Sequence, residues 1–157
     1  MSQQEPVGLL VVAVRRRVKQ VTAVLLQGLG MSPQQFWTVV VIARNGCLSL
    51  RELAALRRMD EPTACRVVNT LVRRRLVRRS PDPRDRRRSR LALTPSGEEL
   101  AARLLPLAGT IADAVEGALT PAERGAVVAG LRKVIANLDR FEAACAGAGA
   151  ARGVEVR

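Results

Sequence analysis

The stretch DPRDRRRSRLALTPSGEEL, residues 82–100, sets five arginines within the seven residues Arg84–Arg90. Charges this dense repel, and guanidinium side chains cannot all be buried together. The segment must therefore project from the body of the protein. The Pro and Asp residues of SPDPRDRR favour a turn, and the flanking runs Leu76–Arg79 and Ser89–Leu93 read as two short strands. The expected feature is a hairpin with a cationic tip, whose self-repulsion a bound polyanion would relieve.

The charge is concentrated rather than general. Residues 1–97 hold 19 basic and 6 acidic residues, against 7 and 8 in residues 98–157. Residues 73–90 alone carry ten arginines and two aspartates. A chain of 157 residues with 48% apolar content is long enough for one domain with a real core, built from Leu, Val, Ala and Ile because aromatics make up only 2%. Histidine is absent, which removes the commonest general base and zinc ligand. No paired-carboxylate or Gly-rich phosphate motif stands in its place, so neither an enzyme, a metal nor a cofactor is expected. Cys47, Cys65 and Cys145 form no CxxC pair, and the apolar run Val7–Val14 precedes rather than follows its arginines. A soluble, cytoplasmic protein without a membrane segment is the expectation.

Apolar residues Val7, Leu10, Val11, Val14, Val18, Val21 and Leu25 recur at steps of three and four, predicting a first helix. Ser32-Pro33 opens a second, to about Arg44, and SLRE (Ser49–Glu52) has capping-box spacing for a short third. Asp60 caps a fourth, with Pro62 in its first turn, running to about Arg75. After the hairpin, Thr94-Pro95 starts a fifth helix that Pro106 should kink or break, and TPAE (Thr120–Glu123) starts a sixth. The Ala- and Gly-rich tail from Ala143 is expected to fray.

Helical spacing divides the fourth helix into an apolar side (Ala64, Val67, Val68, Leu71) and an outer face of Pro62, Thr63, Arg66, Asn69, Thr70 and Arg73. Compact hydrogen-bonding groups near the N-terminus and cations near the C-terminus suit a helix in a major groove. With the short third helix just upstream, the pair has helix-turn-helix order. The following hairpin would lie beside it as a wing. Arginines Arg84, Arg86, Arg87 and Arg88 at its tip could then follow phosphates or enter the minor groove.

These residues carry a resemblance. Pro62-Thr63-Ala64-Cys65-Arg66, Leu76-Val77-Arg78-Arg79, Asp82-Pro83-Arg84-Asp85-Arg86-Arg87 and Leu93-Thr94-Pro95-Ser96-Gly97 resemble the winged helix-turn-helix of the multiple-antibiotic-resistance regulator (MarR) family. MSPQQFWTVVVIARNG (31–46) is similar to that family's second helix. The resemblance implies a mainly α fold: an N-terminal dimerisation helix (1–30), a winged helix-turn-helix (31–97), C-terminal dimerisation helices (98–145) and a flexible tail (146–157). It implies a homodimeric repressor on a near-palindromic double-stranded DNA site. Pro62, Thr63, Arg66 and Asn69 would sit at the major groove, and Arg86 or Arg87 in the minor groove. Asp85 would brace the wing. Arg66 could read a base, grip a phosphate or brace Asp85. The family usually has glycine where this chain has Arg75, which leaves the start of the wing open by a residue or two.

Leu100, Leu104, Ile111, Val115, Val127, Leu131, Val134 and Leu138 make stripes too broad for a small winged domain, and a second copy is the expected cover. Two roles are open at several further positions. Ser49 caps a helix or contacts a phosphate. Phe36 and Trp37 are core, or line a pocket for a small-molecule effector. Cys65 is structural, or a redox sensor beside the recognition helix. The competing function is a non-specific or RNA-associated binder that uses its arginines without base readout, against which the scarcity of stacking aromatics counts.

Overall fold

The computed structural model describes residues 5–82 and 89–152, with side chains described as far as Cys145. The chain separates into two compact units, Met1–Val115 and Glu116–Arg157.

The first unit begins with α1 (Val7–Leu25) and α2 (Pro33–Asn45), the latter opened by a capping box between Ser32 and Gln35. A two-residue strand, β1 (Leu48–Ser49), precedes α3 (Leu50–Arg57) and α4 (Glu61–Arg73). The hairpin strands are β2 (Val77–Pro81) and β3 (Ser89–Leu93), and α5 (Pro95–Glu116) follows. All three strands join one antiparallel sheet in the order β1-β3-β2, with Leu48 opposite Leu91 and Arg79 opposite Leu91 on the other side. Phe36, Ile42, Leu53, Leu71, Leu91 and Leu104 are its largest wholly buried apolar side chains, so the core joins α2, α3, α4, β3 and α5. Burial of each such side chain contributes about 1.5–3 kcal/mol.

The end of α4 explains how the wing starts. The Arg75 N–H donates to the Val72 carbonyl and the Leu76 N–H to the Leu71 carbonyl, at 2.9 and 3.0 Å. This is a Schellman closure, and Arg75 occupies its left-handed position at φ 56°. The helix therefore stops two residues before the expected Arg75, and arginine takes the conformation that favours glycine. Thr94 locks the same turn: its Oγ1 donates to the Arg75 carbonyl at 2.6 Å and its N–H to the Leu76 carbonyl at 3.1 Å. Gly97 is required by packing, since a Cβ there would lie 2.0 Å from the Leu76 carbonyl oxygen. The LTPSG motif is thus the clasp between α5 and the turn that leads into the wing.

Three further expectations need correction. The sheet has a third strand, β1, too short to show in local sequence pattern. Pro106 does not break α5, because it lies on the exposed side, where water can serve the Ala102 carbonyl it leaves unpaired. Leu104 and Ile111 belong to the core of the first unit rather than to a surface awaiting cover. In the second unit, α6 runs from Pro121 to Arg152, consistent with the high helix propensity of its many alanines. The TPAE box opens α6 as expected: Thr120 N–H donates to Glu123 Oε2 at 2.9 Å, and Glu123 N–H to Thr120 Oγ1 at 3.3 Å.

Candidate nucleic-acid interface

Helix α4 is fixed at its start by Asp60, whose Oδ1 accepts the Thr63 N–H at 2.7 Å. That hydrogen bond holds the Asp60 carboxyl below its ordinary pKa. Ala64, Val67, Val68 and Leu71 are buried against the core, which turns Pro62, Arg66, Asn69 and Arg73 to solvent, with Thr63 and Thr70 half-buried beside them. The six residues singled out in the sequence are brought together on one face.

That face is ordered by its own hydrogen bonds. Arg66 Nη2 donates to Thr63 Oγ1 at 2.9 Å, and Arg73 Nη2 to Thr70 Oγ1 at 3.3 Å. Thr70 in turn donates to the Arg66 carbonyl at 3.1 Å. Each long arginine is thereby restrained over the preceding turn, which reduces the rotamer entropy lost on meeting a ligand.

Cys65 is half-buried at the flank of this face. Its Sγ accepts from Asn69 Nδ2 and from Arg79 Nη2, each at 3.6 Å. Arg79 lies on β2, so this contact ties that strand to α4. The sequence reading missed Arg79, because nothing local shows that residue 79 returns to residue 65.

Ser49 caps α3: its Oγ accepts the Glu52 N–H at 3.2 Å while Glu52 Oε2 accepts the Ser49 N–H at 2.7 Å. The Ser49 hydrogen bonds are the main cause of the lowered Glu52 pKa. Glu52 also faces Arg90 Nη1 at 3.8 Å, and Arg90 Nε faces Asp82 Oδ2 at 3.7 Å. Arg90 therefore links the root of the wing to the first turn of α3. Arg84, Asp85, Arg86, Arg87 and Arg88 lie outside the described residues.

Phe36 and Trp37 pack edge to face, with ring centroids 4.9 Å apart, but they part company in role. Phe36 is wholly buried in the core, a correction to its pairing with Trp37 as a pocket residue. Adjacent helix positions point about 100° apart, and only Trp37 reaches a cleft of about 820 Å3 beside α1. Arg57, which the sequence reading did not single out, lines the same cleft. Among the described residues no cluster of His, Cys, Asp or Glu is placed to hold a metal.

Two helices joined by a tight turn, with the second exposing an ordered polar and basic face next to a hairpin, define a winged helix-turn-helix. Comparison with known proteins agrees. The MarR family model matches residues 29–88. The transcriptional repressor NicR of Pseudomonas putida is 35% identical over 124 residues, covering 76% of this chain and 78% of NicR. The chain belongs to the MarR family of transcriptional regulators. Among solved structures, BpsR of Bordetella bronchiseptica, whose DNA binding is regulated by 6-hydroxynicotinic acid, is 32% identical. Its TM-score is 0.71, covering 83% of this chain and 98% of BpsR. A cysteine-to-serine mutant of MarR from E. coli, complexed with operator DNA, is 25% identical with a TM-score of 0.70, covering 82% of this chain and 93% of that one.

Proposed function

We propose that this chain is a sequence-specific, homodimeric transcriptional repressor that acts in the cytoplasm without catalytic activity of its own. In this reading α4 enters the major groove, where Pro62, Thr63, Arg66 and Asn69 meet base edges and Thr70 and Arg73 approach phosphates. Arg84, Arg86, Arg87 and Arg88 follow the adjoining phosphates or the minor groove, with Asp85 bracing the wing and Ser49 serving as a cap. The observation that carries the proposal is the restrained Thr63–Arg66–Thr70–Arg73 face, displayed outward by a helix whose other side is buried. This face bears hydrogen-bonding groups and no aromatic platform, which favours duplex reading over RNA coating.

Exposed apolar residues on α1 (Val7, Leu10, Val11, Val14) support pairing with a second copy, as do Val127, Leu131 and Leu138 on α6. A two-fold dimer would set its recognition helices about 34 Å apart, on a near-palindrome. The regulated relative BpsR supports an effector of the 6-hydroxynicotinic acid kind for this chain too, with Trp37 at its pocket. Among the described residues no helix is long and apolar enough to cross a membrane.

A competition assay at about 150 mM salt tests the proposal. A palindrome from the protein's own promoter should bind about 10³-fold or more tighter than random duplex. Equal affinity for both would leave only non-specific binding.

A further inference from the structure

The half-buried Cys65 receives hydrogen bonds from two directions. Asn69 Nδ2 donates to its Sγ from one turn further along α4, and Arg79 Nη2 donates from β2, each at 3.6 Å. Sulfur is a weak acceptor, yet it takes two donors here, one of them charged. Asn69 and Arg79 are both exposed, so water would serve either of them equally well. What the contact supplies is therefore orientation rather than satisfaction of a buried group.

Arg79 decides which way the Asn69 amide faces. With a guanidinium already donating to Sγ, the sulfur meets Asn69 as an acceptor, and Nδ2 rather than Oδ1 turns to it. The opposite flip would leave Oδ1 with only the weak S–H donor. The bond to Sγ spends one of the two N–H groups of Asn69 and leaves the other, together with Oδ1, for a ligand. One donor beside one acceptor is the complement of adenine, which presents N6–H and N7 in the major groove. Guanine presents two acceptors there, O6 and N7. The second N–H that an amide would need for guanine is the one held by Cys65.

We propose that Cys65, backed by Arg79, is a positioning residue that holds the Asn69 amide in the orientation that reads adenine. The inference rests on the major-groove reading of α4 above and adds the base that Asn69 recognises and the residues that direct it. Its effect is preorganisation. Ordering a free polar side chain on binding costs about two- to tenfold in affinity, and Asn69 meets that cost before DNA arrives. A duplex without the matching base gains nothing from the order, so the benefit falls on adenine alone.

The test measures binding of the full-length protein, with reductant present, to the operator from its own promoter. Each adenine is replaced in turn by 7-deazaadenine, which keeps N6–H and lacks the N7 acceptor. At least one adenine in each half-site should show a penalty of about fivefold or more. In Asn69→Ala the penalty at that adenine should vanish. Cys65→Ala should shrink it about twofold or more, and Cys65→Ser, which keeps an acceptor, should retain more of it than Cys65→Ala does. A residue that merely supported the fold would weaken every duplex alike and leave this ratio unmoved. Where Cys65→Ala does not fold, Arg79→Ala, at an exposed position, takes its place and should shrink the penalty by a smaller factor. A penalty unchanged in the folded Cys65→Ala protein would overturn the inference, as would one unchanged in Arg79→Ala standing in for it. So would a serine that does no better than alanine, a penalty that survives Asn69→Ala, or an operator with no adenine sensitive to the loss of N7. Selective operator binding that persists through any of these outcomes leaves the repressor reading standing. Native protein that binds operator and random duplex alike removes both.

Discussion

Helices α1 and α4 are both amphipathic, yet they satisfy their apolar sides in opposite ways. On α4, Ala64, Val67, Val68 and Leu71 are each 8% exposed or less, while on α1 Val7, Leu10, Val11 and Val14 remain 40–56% exposed. The core of the first unit is completed by α4 and hardly touched by most of α1, where only Thr22 is fully buried and Val18 and Leu25 pack at the edge. A helix with its apolar side already buried can be read by what it shows outward, and α4 shows hydrogen-bond donors and cations. A helix whose apolar side stays in water has its most informative surface there, and on α1 that surface supports the proposed pairing with a second copy. In the proposed function, the two helices would divide recognition from dimerisation.

Breaking α1 should have the largest effect. Leu10→Asp combined with Val14→Asp should leave a helical, folded protein by circular dichroism but shift its mass in light scattering to the 17.0 kDa of a single chain. Loss of bivalent attachment should cost on the order of a hundredfold in operator affinity. A variant that still scatters as a dimer would move the assembly surface away from α1.

Altering α4 should change recognition without changing mass. Arg66→Ala should cost about 1–3 kcal/mol of operator binding and relax preference at one position of each half-site. Thr63→Ala should do part of the same by releasing Arg66 from its 2.9 Å hydrogen bond. A uniform loss across all duplexes would make Arg66 a phosphate contact instead. For the wing, Arg86→Ala and Arg87→Ala should each lower the salt dependence of binding by about one phosphate contact. Unchanged slopes in both would take the wing out of the interface.

The smallest effect expected is on stability alone. Arg75 holds a left-handed turn that costs a side chain about 1–2 kcal/mol relative to glycine. Glycine also loses more entropy on folding, so Arg75→Gly should stabilise the protein by up to about 1 kcal/mol in denaturant unfolding. A loss of stability would mean that the Arg75 side chain contributes more than its backbone costs.

Local chemistry was legible in the sequence, and contacts across the chain were not. Strand β3 was read at its true bounds, and the boxes at Ser49 and Thr120 formed as their three-residue spacing required. The faces of α4 followed from helical periodicity alone. The end of α4 was read two residues late, because without a glycine at position 75 no local signal marked the Schellman turn. Strand β1 exists through its pairing of Leu48 with Leu91, forty-three residues away. The Cys65–Arg79 contact and the meeting of Arg57 with Trp37 in one cleft likewise depend on tertiary placement. Arg57 reads as one more surface arginine until its Nε is seen to be buried.

The central claim is that the Thr63–Arg66 side of α4 lies in a major groove, twice per operator. Methylation interference at guanine N7 tests it most directly, because that atom lies in the major groove. The account predicts two clusters of interfering guanines about 10 base pairs apart, with the effect of methylation in each reduced by Arg66→Ala. Binding indifferent to N7 methylation at every guanine of a G-containing operator would contradict it.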